Sequence, residues 1–261
     1  MARDVIISVR GLRNQFGAQV IHDHLDLDIY AGEVLGIVGG SGTGKSVLLR
    51  TILGLNKPAT GSIEIFGKAR SEMTSEEEHA VERRWGVLFQ DGALFSSLTV
   101  AQNIQVALKE HLHLPQKLLD EISAVKIGLV GLPPEAGPKF PSELSGGMRK
   151  RAGLARALAL DPEIVFLDEP TAGLDPIGAS AFDELIKNLQ ATLGLTVFMV
   201  THDLDSLYAI CDRIAVLAEK KVMVTGTIEQ MLTQEHPWIR EYFHGPRGRA
   251  AMAAQSAPPR S

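Results

Sequence analysis

The 261-residue sequence contains little cysteine, few aromatic side chains and no long apolar run. Its one cysteine, Cys211, cannot form a disulfide within the chain, so the fold does not depend on an oxidising compartment. The longest apolar runs, such as 197–200, are far shorter than the roughly 18 to 20 residues that a membrane-spanning helix needs. No signal-peptide pattern follows Met1. We therefore expect a cytoplasmic protein that reaches a membrane only through a partner.

Basic residues are also in the minority. Lysine and arginine total 26 against 31 aspartates and glutamates, which gives a net charge of −5. This balance argues against a protein that coats nucleic acid, and we expect no nucleic-acid partner. With 45% hydrophobic and 22% charged residues the composition is that of a globular protein, and the length predicts one large domain or a domain with a subdomain.

The spacing of apolar residues predicts an α/β fold. Alternation within the first 35 residues, clearest at 25–29, predicts an N-terminal antiparallel β subdomain. Later apolar strands alternate with helical segments, which indicates a parallel core sheet covered on both faces. These strands are predicted at 34–38, 85–89, 164–167 and 196–200, with a helix at 179–192 and a closing hairpin at 213–224.

A long helical stretch interrupts the strand and helix alternation between Gln90 and about Ala159. It predicts an inserted helical subdomain, which we place at about 91–160 within a nucleotide-binding domain at 1–245. The last segment, 246–261, is rich in Ala, Pro and Arg without periodicity, and this composition predicts a flexible C-terminal tail.

A glycine-rich loop follows the apolar strand 34–38 and precedes a helix-compatible segment. Its pattern, two glycines separated by four residues and followed by Lys-Ser, is that of a phosphate-binding loop, so the core is expected to be of the P-loop NTPase type. Backbone N–H groups would surround the phosphates, Lys45 would neutralise the β and γ phosphates, and Ser46 would ligate Mg²⁺. The alternative is a turn that merely connects strand and helix. The loop comprises Gly39, Gly40, Ser41, Gly42, Thr43, Gly44, Lys45 and Ser46.

Two adjacent carboxylates, Asp168 and Glu169, end the apolar strand that begins at Ile164. This position predicts that Asp168 lies beside the Mg²⁺ of the loop and that Glu169 orients or deprotonates water. The pair could instead cap the next helix. The one Asn-Lys pair, at Asn56, lacks the aspartate of a guanine-recognising motif, so ATP is the expected nucleotide.

A third motif, Leu144-Ser145-Gly146-Gly147-Met148, precedes a helix-forming run at 149–160. A serine and two glycines at a helix N-terminus can bind an anion, although Ser-Gly-Gly alone is a common turn. Upstream of Asp168 and Glu169, the segment resembles the signature of ABC transporter nucleotide-binding subunits. The resemblance implies a homodimer in which Ser145, Gly146 and Gly147 of one subunit cap the γ-phosphate bound by the other. Met148 stands where the family usually has Gln.

The resemblance also implies roles for four further residues. Gln90 is similar to the Q-loop glutamine, which would contact Mg²⁺ or the attacking water. Asp175 would cross the dimer interface, His202 is similar to the switch histidine at the γ-phosphate, and Phe16 to the aromatic that stacks on adenine. Each has an ordinary alternative: an exposed glutamine at a strand end, an Asp-Pro turn, a structural histidine and a core phenylalanine.

A narrower resemblance lies in 89–100, 144–148 and 237–243. These segments are similar to Mla-type ATPases, which energise MCE-protein lipid transporters in Gram-negative envelopes. The resemblance implies phospholipid transport, a separate permease, an MCE-domain protein and in some systems a small STAS-domain protein, with this chain on the cytoplasmic face of the inner membrane. Two alternatives stay open: the ATPase of an importer for a polar solute such as an amino acid, and a non-transport ATP switch.

Overall fold

The computed structural model describes residues 4–90 and 92–245, so Asp91 and the predicted tail 246–261 lie outside the described residues. The chain divides into two compact units, one made of the residues up to 73 and from 198 onward, the other of 74–197. The strands are β1 (Val5–Phe16), β2 (Gln19–Tyr30), β3 (Val34–Val38), β4 (Thr60–Ile65), β5 (Lys68–Ala69), β6 (Trp85–Leu88), β7 (Ile164–Asp168), β8 (Thr196–Val200), β9 (Arg213–Ala218) and β10 (Lys221–Gly226). The helices are α1 (Lys45–Ile52), α2 (Ser75–Glu82), α3 (Val100–His111), α4 (Gln116–Leu129), α5 (Gly146–Ala157), α6 (Pro176–Leu193), α7 (Leu204–Ile210), α8 (Ile228–Leu232) and α9 (Pro237–His244).

The first unit contains the predicted antiparallel subdomain, a four-stranded sheet with the order β2-β1-β4-β5. In its register Val9 lies opposite Leu27 on one side and Ile63 on the other. Leu25, Leu27 and Ile29 are buried, while the aspartates between them are not, so one face of β2 is apolar as the alternation predicted.

The same unit contains the strand that carries the glycine loop. All five residues of β3 are buried; β3 runs parallel to β9, and β9 forms the predicted hairpin with β10. Near-continuous apolar strands of this kind are typical of parallel sheets. A core cluster that includes Val38, Val216, Met231 and Phe243 connects these strands to α7, α8 and α9.

The second unit pairs β6 with β7 in parallel, so that Trp85 lies beside Ile164. Helix α5 packs closely on β6. A β-carbon added at Gly86 would lie only 2.1 Å from the carbonyl oxygen of Ala157, so this position has no room for a side chain. Helices α3, α4 and α5 fall within the predicted helical subdomain. Its bounds at 91–160 stay a prediction.

Two helices of this unit begin earlier than the sequence patterns indicated, because caps decide where they start. Helix α6 begins at Pro176 rather than 179, since Asp175 accepts the backbone N–H groups of Ile177 and Gly178. Helix α5 begins at Gly146 rather than 149, with Ser145 as its N-cap. Within 4–90 and 92–245, no helix combines the length and apolar character that a bilayer crossing requires.

Candidate nucleotide site

The glycine loop joins β3 to α1 in the first unit. Gly42 and Gly44 adopt left-handed conformations, with φ of 78° and 96°, which favour glycine. The side chain of Lys45 folds back over the loop, and its Nζ donates to the carbonyl oxygens of Gly39 at 2.9 Å and Gly40 at 3.1 Å. Thr43 Oγ1 also donates to the carbonyl of Gly40, at 2.9 Å. The loop and its lysine therefore form one compact element at a helix N-terminus, a position that favours an anion.

A buried histidine lies against this loop. His22 is fully buried in β2, and a β-carbon added at Gly44 would lie 2.5 Å from its Nε2. Its Nδ1 accepts from Asn14 Nδ2 at 2.9 Å, and Asn14 Oδ1 accepts from Thr51 Oγ1 on α1 at 3.3 Å. Burial lowers the pKa of His22 to about 4, although backbone groups of Thr43 and Gly44 oppose the shift. The imidazole is therefore neutral near pH 7.

The paired carboxylates lie in the second unit at the carboxyl end of β7. Asp168 is buried, with 6% of its surface exposed, and Glu169 is half-buried. Glu169 has a φ of 51°, which is unusual for a residue with a side chain. The pair does not cap a helix, since the next helix begins at Pro176 and Asp175 is its N-cap.

The Ser-Gly-Gly segment forms the N-terminus of α5 in the same unit. Ser145 Oγ accepts a hydrogen bond from the backbone N–H of Met148 at 3.3 Å. The helix cap therefore forms although Met148 stands where the family usually has Gln. A β-carbon added at Gly146 would meet no heavy atom within 4 Å, and one at Gly147 would meet only Leu174 Cδ2, at 3.9 Å. The helix end is therefore open to a ligand, which fits the predicted γ-phosphate cap.

The other predicted residues lie at element ends. Gln90 follows β6 and is exposed, and Asp175 is exposed at the start of α6. His202 follows β8, and its carbonyl oxygen accepts from Tyr242 Oη at 3.0 Å. Phe16, at the end of β1, is 51% exposed and is therefore not a core residue. The roles of these side chains toward a nucleotide stay predictions.

Sequence reasoning missed several residues that contact these motifs. Lys150 is buried on α5, and its ammonium donates to the backbone carbonyls of Gln90 and Glu169. His22 lies against Gly44 of the loop, and Tyr242 donates to the backbone carbonyl of His202. Two of these residues left a signal in the sequence. Lys150 shares a helix face with the buried residues Leu154 and Ala157, and Tyr242 lies in the segment 237–243 that resembles Mla-type ATPases.

A family model described as ABC transporter matches residues 22–172, more than half of the chain. The chain belongs to the ABC transporter family. Its predicted fold and its assignment as an ATP-hydrolysing, ATP-binding subunit are thereby confirmed.

The probable ribonucleotide transport ATP-binding protein mkl of Mycobacterium leprae is 42% identical over 95% of this chain and 71% of its own length. The intermembrane phospholipid transport system ATP-binding protein MlaF of Haemophilus influenzae is 39% identical over 92% of this chain and 90% of its own length. MlaF of Escherichia coli K12 is 37% identical over 92% of this chain and 89% of its own length.

Solved ABC cassettes share the fold. The ATP-binding cassette MJ0796, in a dimeric post-hydrolysis state bound to ADP and Pi, superposes with a TM-score of 0.77 at 27% identity, over 85% of this chain and 98% of the other. The cbiO1 subunit of the cbiONQ transporter from Clostridium perfringens gives 0.79 at 28% identity, over 97% and 99%.

Proposed function

We propose that this ABC ATPase powers phospholipid transport between the membranes of a cell envelope. The observation that carries the proposal is the likeness to MlaF, which covers about nine-tenths of both chains rather than the nucleotide motifs alone. The expected complex contains two copies of this chain on the cytoplasmic face of the inner membrane, a permease and an MCE-domain protein. A small STAS-domain protein is a further expected subunit.

Hydrolysis in this proposal depends mainly on positioning and electrostatics, as in phosphoryl transfer generally. Residues 39–46 bind the phosphates, with Lys45 neutralising the β and γ groups, and Phe16 stacks on adenine. Glu169 orients or deprotonates the attacking water, and His202 contacts the γ-phosphate. The open N-terminus of α5 supports a role for Ser145, Gly146 and Gly147 as the γ-phosphate cap supplied by the second subunit, with Asp175 crossing between the two.

The donor set fits Mg²⁺, a hard cation that takes oxygen ligands and retains contacts with substrate phosphates. Ser46 supplies a hydroxyl in the first turn of α1, and Asp168 supplies a buried carboxylate. We propose that these two residues and the amide oxygen of Gln90 hold the ion. When bound, the ion would neutralise charge on the β and γ phosphates.

We propose that the permease docks in a groove of the second unit. This groove has a volume of about 310 Å³ and lies close in sequence to Gln90. Phe95 is 51% exposed at its wall, and the Arg156 guanidinium lies 6.0 Å from the centre of the Phe95 ring. The groove also contains the acidic residues Glu82 and Glu110. Exposed Phe95 suits the apolar face of a short amphipathic helix, and the two acidic residues suit a basic face.

A second function is favoured by the name of the mycobacterial relatives, which specifies ribonucleotide transport. This name agrees with the alternative of a polar-solute transporter.

Purification of the tagged chain from detergent-solubilised membranes of its own organism separates the candidates. A permease together with an MCE-domain protein supports phospholipid transport, a permease with a soluble binding protein supports the polar-solute transporter, and isolation without any membrane partner contradicts both.

A further inference from the structure

Lys150 occupies an unusual environment for a lysine. It lies on α5, the helix capped by Ser145, and 6% of its surface is exposed. A buried ammonium is stable only when its donors are satisfied, because burial removes its hydration. Two of its contacts are backbone carbonyl oxygens: that of Glu169 at 3.0 Å and that of Gln90.

These two carbonyls belong to segments distant in sequence. Gln90 lies 60 residues before Lys150, and Glu169 lies 19 residues after it. Glu169 also has the left-handed φ of 51°, a conformation that persists for a non-glycine residue only where its surroundings hold it. Its carbonyl oxygen accepts from the backbone N–H of Ala172 at 3.2 Å as well as from Lys150, so the backbone is held from two sides.

The same helix also carries the open anion site at Ser145, Gly146 and Gly147. At a rise of about 1.5 Å per residue, Lys150 lies about 7 Å along the helix axis from Ser145. Lys150 therefore links the γ-phosphate cap to the backbone of both proposed catalytic residues.

We propose that Lys150 is a positioning residue for hydrolysis, which orients Glu169 and Gln90 through their backbones. The proposal rests on the proposed roles of Glu169 and Gln90. It predicts that loss of the ammonium lowers the rate of the chemical step while ATP binding, which depends on the separate loop 39–46, is retained.

The test compares Lys150→Met with Arg151→Met in the full chain. Arg151 is a matched control, because it lies on the same helix and also donates to backbone carbonyls, those of Val130 and Ala181, away from the catalytic residues. We expect Lys150→Met to lower kcat about 10- to 100-fold, the range for a lost charge-assisted hydrogen bond. KM for ATP should change less than about threefold. Arg151→Met should lower Tm with kcat retained.

Conservative variants separate positioning from general destabilisation. Lys150→Arg keeps charge and donors and should recover most of kcat, while Lys150→Gln keeps an amide donor and should fall between. If Lys150→Met does not fold, the proposal is tested by whether kcat of Lys150→Arg exceeds that of Lys150→Gln. Equal kcat in Lys150→Met and Arg151→Met overturns it, and so does a loss confined to KM. Full activity of a Glu169→Gln variant would instead overturn the catalytic assignment itself, independently of Lys150.

Discussion

Glu169 combines a proposed catalytic side chain with a constrained backbone. It follows the buried strand β7 directly, and its left-handed conformation turns the chain where the strand ends. Such strained conformations concentrate at functional sites, where the surrounding structure stabilises them. The neighbouring Asp168 is buried instead, so two adjacent carboxylates occupy different environments, which suits one to metal binding and the other to water activation.

Replacement of Glu169 by Gln should therefore abolish steady-state hydrolysis while ATP remains bound. The amide preserves size and backbone geometry but cannot act as a base. Phosphate release and equilibrium titration with a fluorescent ATP analogue measure the two properties. Lys45→Ala is the contrasting variant, because it should weaken nucleotide binding itself. A Glu169→Gln protein with a rate near the parent's would contradict the assignment.

His22 makes stability depend on pH in a calculable direction. Its pKa is about 4 in the folded protein, against an ordinary value of 6.5 for a solvated histidine. Its contribution to stability is therefore fully present above pH 6.5 and is lost progressively as the pH falls toward 4. The loss should reach about 2 kcal/mol by pH 5, at 1.36 kcal/mol per pKa unit.

Urea denaturation at several pH values between 7.5 and 5 measures this loss. His22→Gln should remove about that much of the pH dependence, and His113→Gln, the same change at an exposed histidine, is the matched control. A His22→Gln protein with the same pH dependence as the parent would show that other groups produce it.

At the scale of elements, α9 connects two motifs of the first unit. Ile239 and Phe243 are buried in the core, and Tyr242 reaches the His202 carbonyl. Trp238 stacks on Tyr242 with ring centres 4.8 Å apart, and its Nε1 would lie 3.7 Å from a β-carbon added at Gly40. A change in the loop on nucleotide binding should therefore alter the surroundings of the indole.

Trp238 should consequently report ATP binding by fluorescence. Titration with ATP in the absence of Mg²⁺ should change the emission of the parent and of Trp85→Phe, since Trp85 is buried in the second unit against Phe166. The change should disappear in Trp238→Phe. A signal that persists in Trp238→Phe and is lost in Trp85→Phe would contradict the placement of α9.

At the scale of the whole molecule, the proposed site is complete only when Ser145, Gly146 and Gly147 of a second chain cap the γ-phosphate. The open space at Gly147 and the helix dipole of α5 make this end suited to an anion, and an added negative charge there should oppose the γ-phosphate of a partner. A glutamate in the first turn of a helix is itself compatible with folding.

In a Glu169→Gln background, ATP should therefore convert the chain from monomer to dimer in size-exclusion chromatography with light scattering. Added Gly147→Glu should prevent the conversion without lowering Tm. Ala191→Glu, on an exposed position of α6, adds the same charge and should leave the dimer intact. Dimerisation of the Gly147→Glu protein would contradict the proposed trans cap.

Local signals are enough to predict the apolar core strands, the glycine loop and the antiparallel subdomain, but not helices α7, α8 and α9. Glycine spacing, apolar runs and alternation act over a few residues, and these features are therefore legible in the sequence alone. The starts of α5 and α6 were predicted too late, because capping by Ser145 and Asp175 outweighs the poor helix propensity of the glycine and proline that follow.

The contacts that support the site depend on the tertiary structure. Lys150 meets carbonyls 60 and 19 residues away, and His22 comes to lie against Gly44 only when β2 packs on the loop. The motifs are thus set by residue type and spacing, which the sequence contains. Their support comes from burial and backbone hydrogen bonds between distant segments, and these exist only once the chain has folded.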